Sequence, residues 1–383
     1  MNRLLCITFT AVSLLLVPAA DAAKRKLPTD FSSAEGSLIK HLMGEPDAAK
    51  KTALMEDFVA KNPTHDSTPW VFGELQTAYM KAGQFDKALA AGEKVLAGDP
   101  DDVVIANANL KAAEGAKNPA LIRKWAVAAS AAARRIITSA KPADADEAAA
   151  WQANVDYAKQ VDTYGDYALY ALALQTTDSA QRIEIGESLV RQSPESQYAT
   201  LMRPHLSIAY QQAGNHARAL AVAEDDIKSN SNNEDMLLYA ASKAYERQDK
   251  PKAIVYAKRL IDTLPAKPVP QGMNEADWTR NKNLKLGMAQ WMLGVIASNE
   301  QRWVEADSHL RTALPNVSHS KEITAETLFH LGLSNYKLGE AKKDKNRILE
   351  ALKFNQQCAA IVSNFQAPAK KNVAAIRSQY HIQ

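Results

Sequence analysis

Side chains able to do chemistry are thinly spread along these 383 residues. Ser37-Leu38-Ile39-Lys40 has the Ser-x-x-Lys spacing with which a lysine activates a serine nucleophile, but the companion motifs are missing and ordinary helical sequence follows Lys40. The histidines His41, His65, His205, His216, His309, His319, His330 and His381 include no His-Glu-x-x-His pair, and the two cysteines make no cluster at ligand spacing, so no metal site is expected. There is no Gly-x-Ser-x-Gly elbow, phosphate-cradling glycine loop or dinucleotide fingerprint, so no cofactor and no catalytic residue is assigned. The acidic pairs Asp101-Asp102 and Asp225-Asp226 fall at helix ends or exposed faces, where caps and solvated charge are the ordinary roles. Lys342–Arg347 is the one local basic cluster; it reads as a solvated loop, with contact to anionic envelope polymer or lipid headgroups as the sharper alternative. A formal net charge of +3 supplies no global field for a phosphate backbone, so nucleic acid is not an expected partner.

The elements that would position these groups are helices. After residue 33 apolar residues recur at helical spacing, strand-like alternation is absent, and Gly or Pro falls between the periodic segments. Residues 1–22 read differently. Met1-Asn2-Arg3, an apolar run from Leu4 to Val17, Pro18, and small residues at Ala20 and Ala22 form a secretory signal peptide. The run is about 14 residues, short of the roughly 20 that cross a bilayer, and no later segment comes close without charges. The mature chain is therefore expected to begin near Ala23, to be periplasmic or secreted, and to have no integral membrane span after cleavage; an uncleaved signal anchor is the alternative. Cys6 follows Leu4-Leu5 rather than a small-residue lipoprotein box, so no lipid anchor is expected. Cys358, then alone, can form no internal disulfide and reads as a buried small hydrophobe.

Helix pairs of about 34 residues recur along the chain. Thr200–Asn233 and Glu234–Lys267 abut without a gap. The first carries Leu206, Ala209-Tyr210, Gly214 and Ala219-Leu220; Pro69–Asp102 carries Leu75, Ala78-Tyr79, Gly83 and Ala88-Leu89 at the same places. A first pair spans Ser32–His65. The register loosens over residues 103–162, where helices Val103–Gly115 and Pro119–Ala140 precede a long helix from Asp144, and Thr163–Ser196 restores it. One common offset matches Glu56 to Glu187, Pro63 to Pro194, Tyr79 to Tyr210, Gly83 to Gly214 and Glu93 to Glu224, which suggests duplication of a two-pair module. Residues 268–282, with Pro268, Pro270 and Gly272, read as a loop and hinge dividing a solenoid over residues 23–267 from further pairs over residues 283–383. Those pairs carry Leu293-Gly294, Ala297, Trp303, Ala306 and Leu310, then Leu331-Gly332, Tyr336, Gly339 and Ala351. The last helix, Pro368 to Tyr380, reads as a cap.

On these residues the chain resembles the tetratricopeptide repeat family over most of its mature length, and secreted bacterial members in particular. The resemblance implies an all-α solenoid of antiparallel helix pairs in a right-handed superhelix with an extended inner groove, and it implies binding rather than catalysis. Physics points the same way: paired helices approach only where side chains are small, which marks Ala88, Ala219, Ala253, Gly294 and Ala306 as joints. In the family the inner face comes mainly from the first helix of each pair. By that resemblance Trp70, Thr77, Lys81, Ile208, Gln211, Gln212, Ser242, Tyr245, Glu246, Trp291, Ser298, Asn299, Phe329, Tyr336 and Lys337 line it, a mixture suited to an extended polypeptide of the cell envelope. A Lys and Asn clamp that grips terminal carboxylates in one subclass is absent, since the matching positions hold Gly73 and Thr77, Pro204 and Ile208, Leu238 and Ser242, and Trp291 and Val295. The expected function is an exported, non-enzymatic scaffold for protein or peptide partners. The alternatives are an accessory enzyme subunit with a site in residues 103–162, or a peptidoglycan-binding module stacking sugars on Trp70 and Trp291, with Trp303 as core.

Overall fold

The computed structural model describes residues 31–229 and 232–382; the signal-peptide segment lies outside them. The described residues are all-α. In order come α1 (Ala34–Gly44), α2 (Ala48–Lys61), α3 (Thr68–Lys81), α4 (Phe85–Gly98), α5 (Val103–Gly115), α6 (Pro119–Ile137), α7 (Ala145–Gln175), α8 (Ser179–Gln192), α9 (Gln197–Gln212), α10 (His216–Ser229), α11 (Glu234–Glu246), α12 (Lys250–Thr263), α13 (Glu275–Asn299), α14 (Trp303–Ala313), α15 (Lys321–Lys342), α16 (Lys345–Ala359) and α17 (Gln366–Tyr380). Packing is sequential, and the chain divides into two compact units, one ending at Met202 and the other starting at Arg203.

One backbone device repeats at the turns inside the pairs. The amide of Gln84 donates to the Tyr79 carbonyl at 2.9 Å, and the same bond joins Asn118 to Ala113, Asn215 to Tyr210, Asp249 to Ala244, Arg302 to Ala297 and Asp344 to Gly339 at 2.8–3.2 Å. This is the bond of a Schellman cap, which requires a left-handed residue just before the donor. Gly83 (φ 70°) and Gly214 (φ 73°) fill that place without strain, whereas Lys117, Gln248, Gln301 and Lys343 adopt φ of 52–61° despite their side chains. The second helix is then opened by a side-chain cap at several of these turns: Asn118 accepts from Leu121, Asn215 from Arg218 and Asp249 from Lys252.

The joints fall where small residues were expected. Ala88, Ala219, Ala253 and Ala306 are wholly buried. A Cβ on Gly294 would sit 2.5 Å from Leu310 Cγ and 3.2 Å from the Leu310 backbone nitrogen, so α13 and α14 meet there at a distance only glycine permits. The helix pairs, the repeated turn and these joints make the chain a tetratricopeptide-like array, and the apolar interior is a string of clusters between successive helices. In the C-terminal unit one cluster runs from Leu220 through Leu237, Leu260, Met292 and Leu310 to Leu331.

Two long helices depart from the expected register. Residues 103–162 and Thr163–Ser196 were expected to be separate, yet α7 crosses that boundary unbroken for 31 residues. Nothing between Asp162 and Thr163 forces a turn, and Gly165 serves as a contact: its Cα faces the Ser130 hydroxyl and the Ala126 carbonyl of α6 closely enough that a Cβ would lie 2.3 and 3.0 Å from them. Helix α13 starts at Glu275, capped by Asn274, so only the first part of residues 268–282 is loop. Leu264 before that loop and Trp278 after it belong to the same apolar cluster, and Lys282 Nζ donates to the carbonyls of Pro265 and Lys267 at 3.1 and 3.2 Å.

Candidate functional site

The first helices of successive pairs touch one another, α3 with α5 and α5 with α7 in the N-terminal unit, α11 with α13 and α13 with α15 in the C-terminal one. Each unit therefore presents a continuous face of first helices, and the side chains on it decide what the face can hold.

In the N-terminal unit Thr77 and Lys81 are exposed on α3 and Trp70 is half-buried. Thr77 and Lys81 line a cleft of about 620 Å³, shared with Thr52, Glu56, Glu74, Tyr79 and Lys87. Inside it the Tyr79 hydroxyl donates to Glu56 Oε1 at 2.6 Å and Lys87 Nζ to the same oxygen at 3.2 Å, with the ammonium 5.1 Å from the Tyr79 ring centre. The Tyr79 bond, then that of Lys87, holds the Glu56 carboxyl below its usual range, while burial and Glu56 push the Tyr79 phenol up. The same face continues onto residues that the sequence reading missed. The Tyr164 hydroxyl of α7 donates to Glu114 Oε2 of α5 at 2.6 Å, and Asn107 Nδ2 donates to the Tyr157 hydroxyl at 3.2 Å. Tyr167 and Tyr170 both pack on Tyr198 of α9, at 5.6 and 5.9 Å between ring centres. Burial raises the pKa of Glu114 even though Tyr164 hydrogen-bonds to it. A signal was present: Tyr157, Tyr164 and Tyr167 share one face of a helix that runs through without a break.

A second cleft in this unit, about 380 Å³, surrounds Arg134. The charges at its centre are spent internally. Arg134 grips Asp162 at 2.8–3.2 Å and reaches the Gln192 carbonyl and the Ser193 hydroxyl, while Gln192 and Ser193 donate to buried Asp166 at 2.9 and 2.6 Å. The arrangement locks α6, α7 and the end of α8 together, which is a structural role.

In the C-terminal unit Gln212, Asn299, Ile208 and Glu246 are exposed, and Gln211, Ser242, Tyr245, Phe329, Tyr336 and Lys337 are half-buried. Several are committed to neighbours: Gln211 Nε2 to Ser207 Oγ at 3.4 Å, Tyr336 to Glu340 and Gln379, and Phe329 to Phe365 with ring centres 5.3 Å apart. Helix α17 and the segment before it thus cover part of the α15 face. Two expected groove residues are core instead: Trp291 is 8% exposed and Ser298 2%, the latter bonded to His330 Nδ1 at 2.8 Å. Trp303, expected as core, is only half-buried at the start of α14. The stacking platform assigned to Trp291 is therefore not on the surface, because α11 and α15 close over α13 from both sides. Tyr245 packs on Trp291 with ring centres 5.1 Å apart, and the half-buried Glu326 of α15 stands beside them.

The residues singled out for chemistry are dispersed. Ser37 and Lys40 are exposed on α1 with no hydrogen bond between them. Burial lowers the pKa of His330 to about 4 and raises that of Cys358, whose thiol faces the Ala325 carbonyl, to about 11. Asp102 caps α5, Asp225 pairs with Lys228, and Asp226 is wholly buried. The Lys342–Arg347 run is not one loop: Lys342 ends α15, Lys345 begins α16, and Arg347 turns inward to Asp307 and Asn335 at 2.7 and 2.6 Å. Among the described residues no three His, Cys, Asp or Glu side chains gather to hold a metal ion, and no helix is long and apolar enough to cross a membrane.

No family model matches the chain, and no curated protein sequence is significantly similar to it. Solved structures of helical repeat proteins are similar. The C-terminal part of a TPR repeat-containing protein from Cytophaga hutchinsonii is 14% identical over 78% of this chain and 99% of that one, with a TM-score of 0.33. The TPR domain of P58(IPK) is 13% identical over 91% and 97%, with a TM-score of 0.25, and a chain of the APC/C hetero-tetramer Cut9–Hcn1 is 12% identical over 91% and 57%, with a TM-score of 0.32. The repeat assignment rests on the turns and joints of this chain, since superpositions of that quality distinguish little among helical arrays.

Proposed function

We propose that this chain is an exported, non-enzymatic scaffold of a bacterial cell envelope that holds an extended polypeptide along its faces of first helices. The observation that carries the reading is the run of half-buried aromatic side chains on those faces, Tyr164 and Tyr167 in one unit and Tyr245 in the other, set among exposed Thr77, Lys81, Gln212 and Asn299. Aromatic rings offer area at little entropic cost, and Gln, Asn and Thr pair with backbone amides. The clefts are compatible with the same reading, because the groups at their centres are paired within the fold, Glu56 with Tyr79 and Lys87 in one and Arg134 with Asp162 in the other. Export is supported by the signal-like residues 1–22.

Photo-crosslinking amino acids placed at Lys81 and Asn299, and for comparison at Lys252 and Glu184 on second helices, test the reading in intact cells. Discrete crosslinked partners are expected from the first pair of sites alone. Equal products from both sets, or none from either, would refute the face. Release of the chain by osmotic shock, with a new N-terminus near Ala23, is expected; retention of residues 1–22 in the cytoplasm would refute export.

A further inference from the structure

Resting on that reading, the C-terminal unit says something about the partner's chemistry. Glu326 on α15 is half-buried, and no described cation is paired with it. Among the described residues, the charge that bears on its carboxyl is Glu322, one turn earlier and of the same sign. Basic side chains on the surrounding elements are committed elsewhere: Lys243 to Glu246 at 2.7 Å, Lys285 to Asp235 at 2.6 Å, and Arg311 to Asp307 at 2.8 Å and to Glu350 at 2.6 Å. A carboxylate kept out of water without a partner is costly, and its pKa rises in response. Unlike Asp226, which is sealed in the core, Glu326 is half-buried and open to completion from outside.

A second and independent observation lies beside it. Trp291 is 8% exposed, and its indole N–H has no partner in ordinary hydrogen-bond geometry, although it lies close enough to Glu326 to favour the charged carboxyl. Tyr245 stacks at a tilt of 58° on that indole and also feels the Glu326 charge. Three adjacent first helices, α11, α13 and α15, therefore bring together two aromatic rings, an unpartnered donor and a pair of carboxyls with no counter-ion. Aromatic faces and carboxylates share one preferred guest, an organic cation.

We propose that Tyr245, Trp291, Glu322 and Glu326 form a seat for the ammonium or guanidinium of a lysine or arginine side chain in the bound polypeptide. The cation pairs with Glu326, its alkyl stem lies on the half-buried Tyr245 with the Trp291 indole packed behind that ring, and Glu322 adds to the negative potential at the entrance. The Trp291 N–H then donates to a carboxylate held fully ionised by its guest.

The test uses the full chain and a displayed library of random dodecapeptides. Selected peptides are expected to share one fixed Lys or Arg, and replacing that residue by norleucine should weaken binding about tenfold or more. Glu326→Gln, which keeps size and shape, should abolish the preference so that the lysine and norleucine peptides bind alike. The melting temperature of this variant, unchanged or raised, shows that the fold is intact. Selected peptides with no fixed cation, or a preference that survives in Glu326→Gln, would overturn the seat. If no peptide is selected, the seat falls; the wider reading falls with it only when the crosslinks from Lys81 and Asn299 are missing too.

Discussion

Asp226 offers the sharpest check on the energetics of this packing. It lies on α10 with no solvent exposure, and neither carboxyl oxygen has a hydrogen-bond partner among the described residues. Burial raises its pKa from 3.8 to about 6, against the pull of Arg203 and Lys267. An acid whose pKa is higher folded than unfolded binds more protons in the folded state between those two values, so its contribution to stability falls as pH rises through that window. From 3.8 to about 6, at about 1.4 kcal/mol per unit, the loss by neutral pH is about 3 kcal/mol. Asp226→Asn removes the charge and keeps the shape, so the variant should be more stable than the parent at pH 7.5 by about 1–3 kcal/mol, the lower figure allowing for a buried amide that also lacks partners. At pH 4 most of that advantage should be gone. Urea unfolding followed by circular dichroism at both pH values gives the two differences, and all other titrating groups cancel between parent and variant. Equal differences at the two pH values, or a variant less stable at pH 7.5 than at pH 4 relative to the parent, would refute the assignment of Asp226 as a buried, uncompensated charge.

Other consequences are simpler to measure. Gln301 holds a left-handed turn at φ 60° where two other pairs use glycine, so Gln301→Gly should stabilise the chain by about 1 kcal/mol, seen as a higher melting temperature. Gly294→Ala would push a methyl to within 2.5 Å of Leu310 and should cost about 1–3 kcal/mol; an unchanged melting temperature would mean that α13 and α14 do not meet there. Cys358 is fully buried and its pKa is pushed up to about 11, so a thiol reagent at pH 8 should leave it unmodified until denaturant is added. His330 is buried and bonded to Ser298, and its pKa is lowered from 6.5 to about 4. The unfolded chain therefore binds the extra proton in that window, and His330→Asn should flatten the loss of stability as pH falls from 6.5 toward 4.

The helix pairs were legible because their signals are local. A helix end needs a left-handed residue and a capping side chain close by in sequence, and Gly83, Gly214, Asn118 and Asp249 declare themselves without reference to anything distant. Helix α5 was read at Val103–Gly115, as the structure has it, for that reason. The binding face was harder to read. Trp291 and Trp303 look alike in sequence, one on a first helix and one at the start of a second, and their exposures come out opposite to expectation. Glu114 pairs with Tyr164, and Glu326 comes to lie beside Trp291, between helices far apart in the chain, and no spacing rule announces either.

By itself, then, the order of residues settles periodicity: where most helices start and stop, and which small side chains let partners approach. Those are properties of a few neighbouring residues and the backbone between them. Tertiary structure alone decides which flank of each helix its successor covers, that α7 runs on past its expected end while α13 begins before its expected start, and that buried Asp226 and half-buried Glu326 lack an ion-pair partner among the described residues. The reason is physical, since burial depends on the crossing of two or three helices at once, and no single helix contains that information.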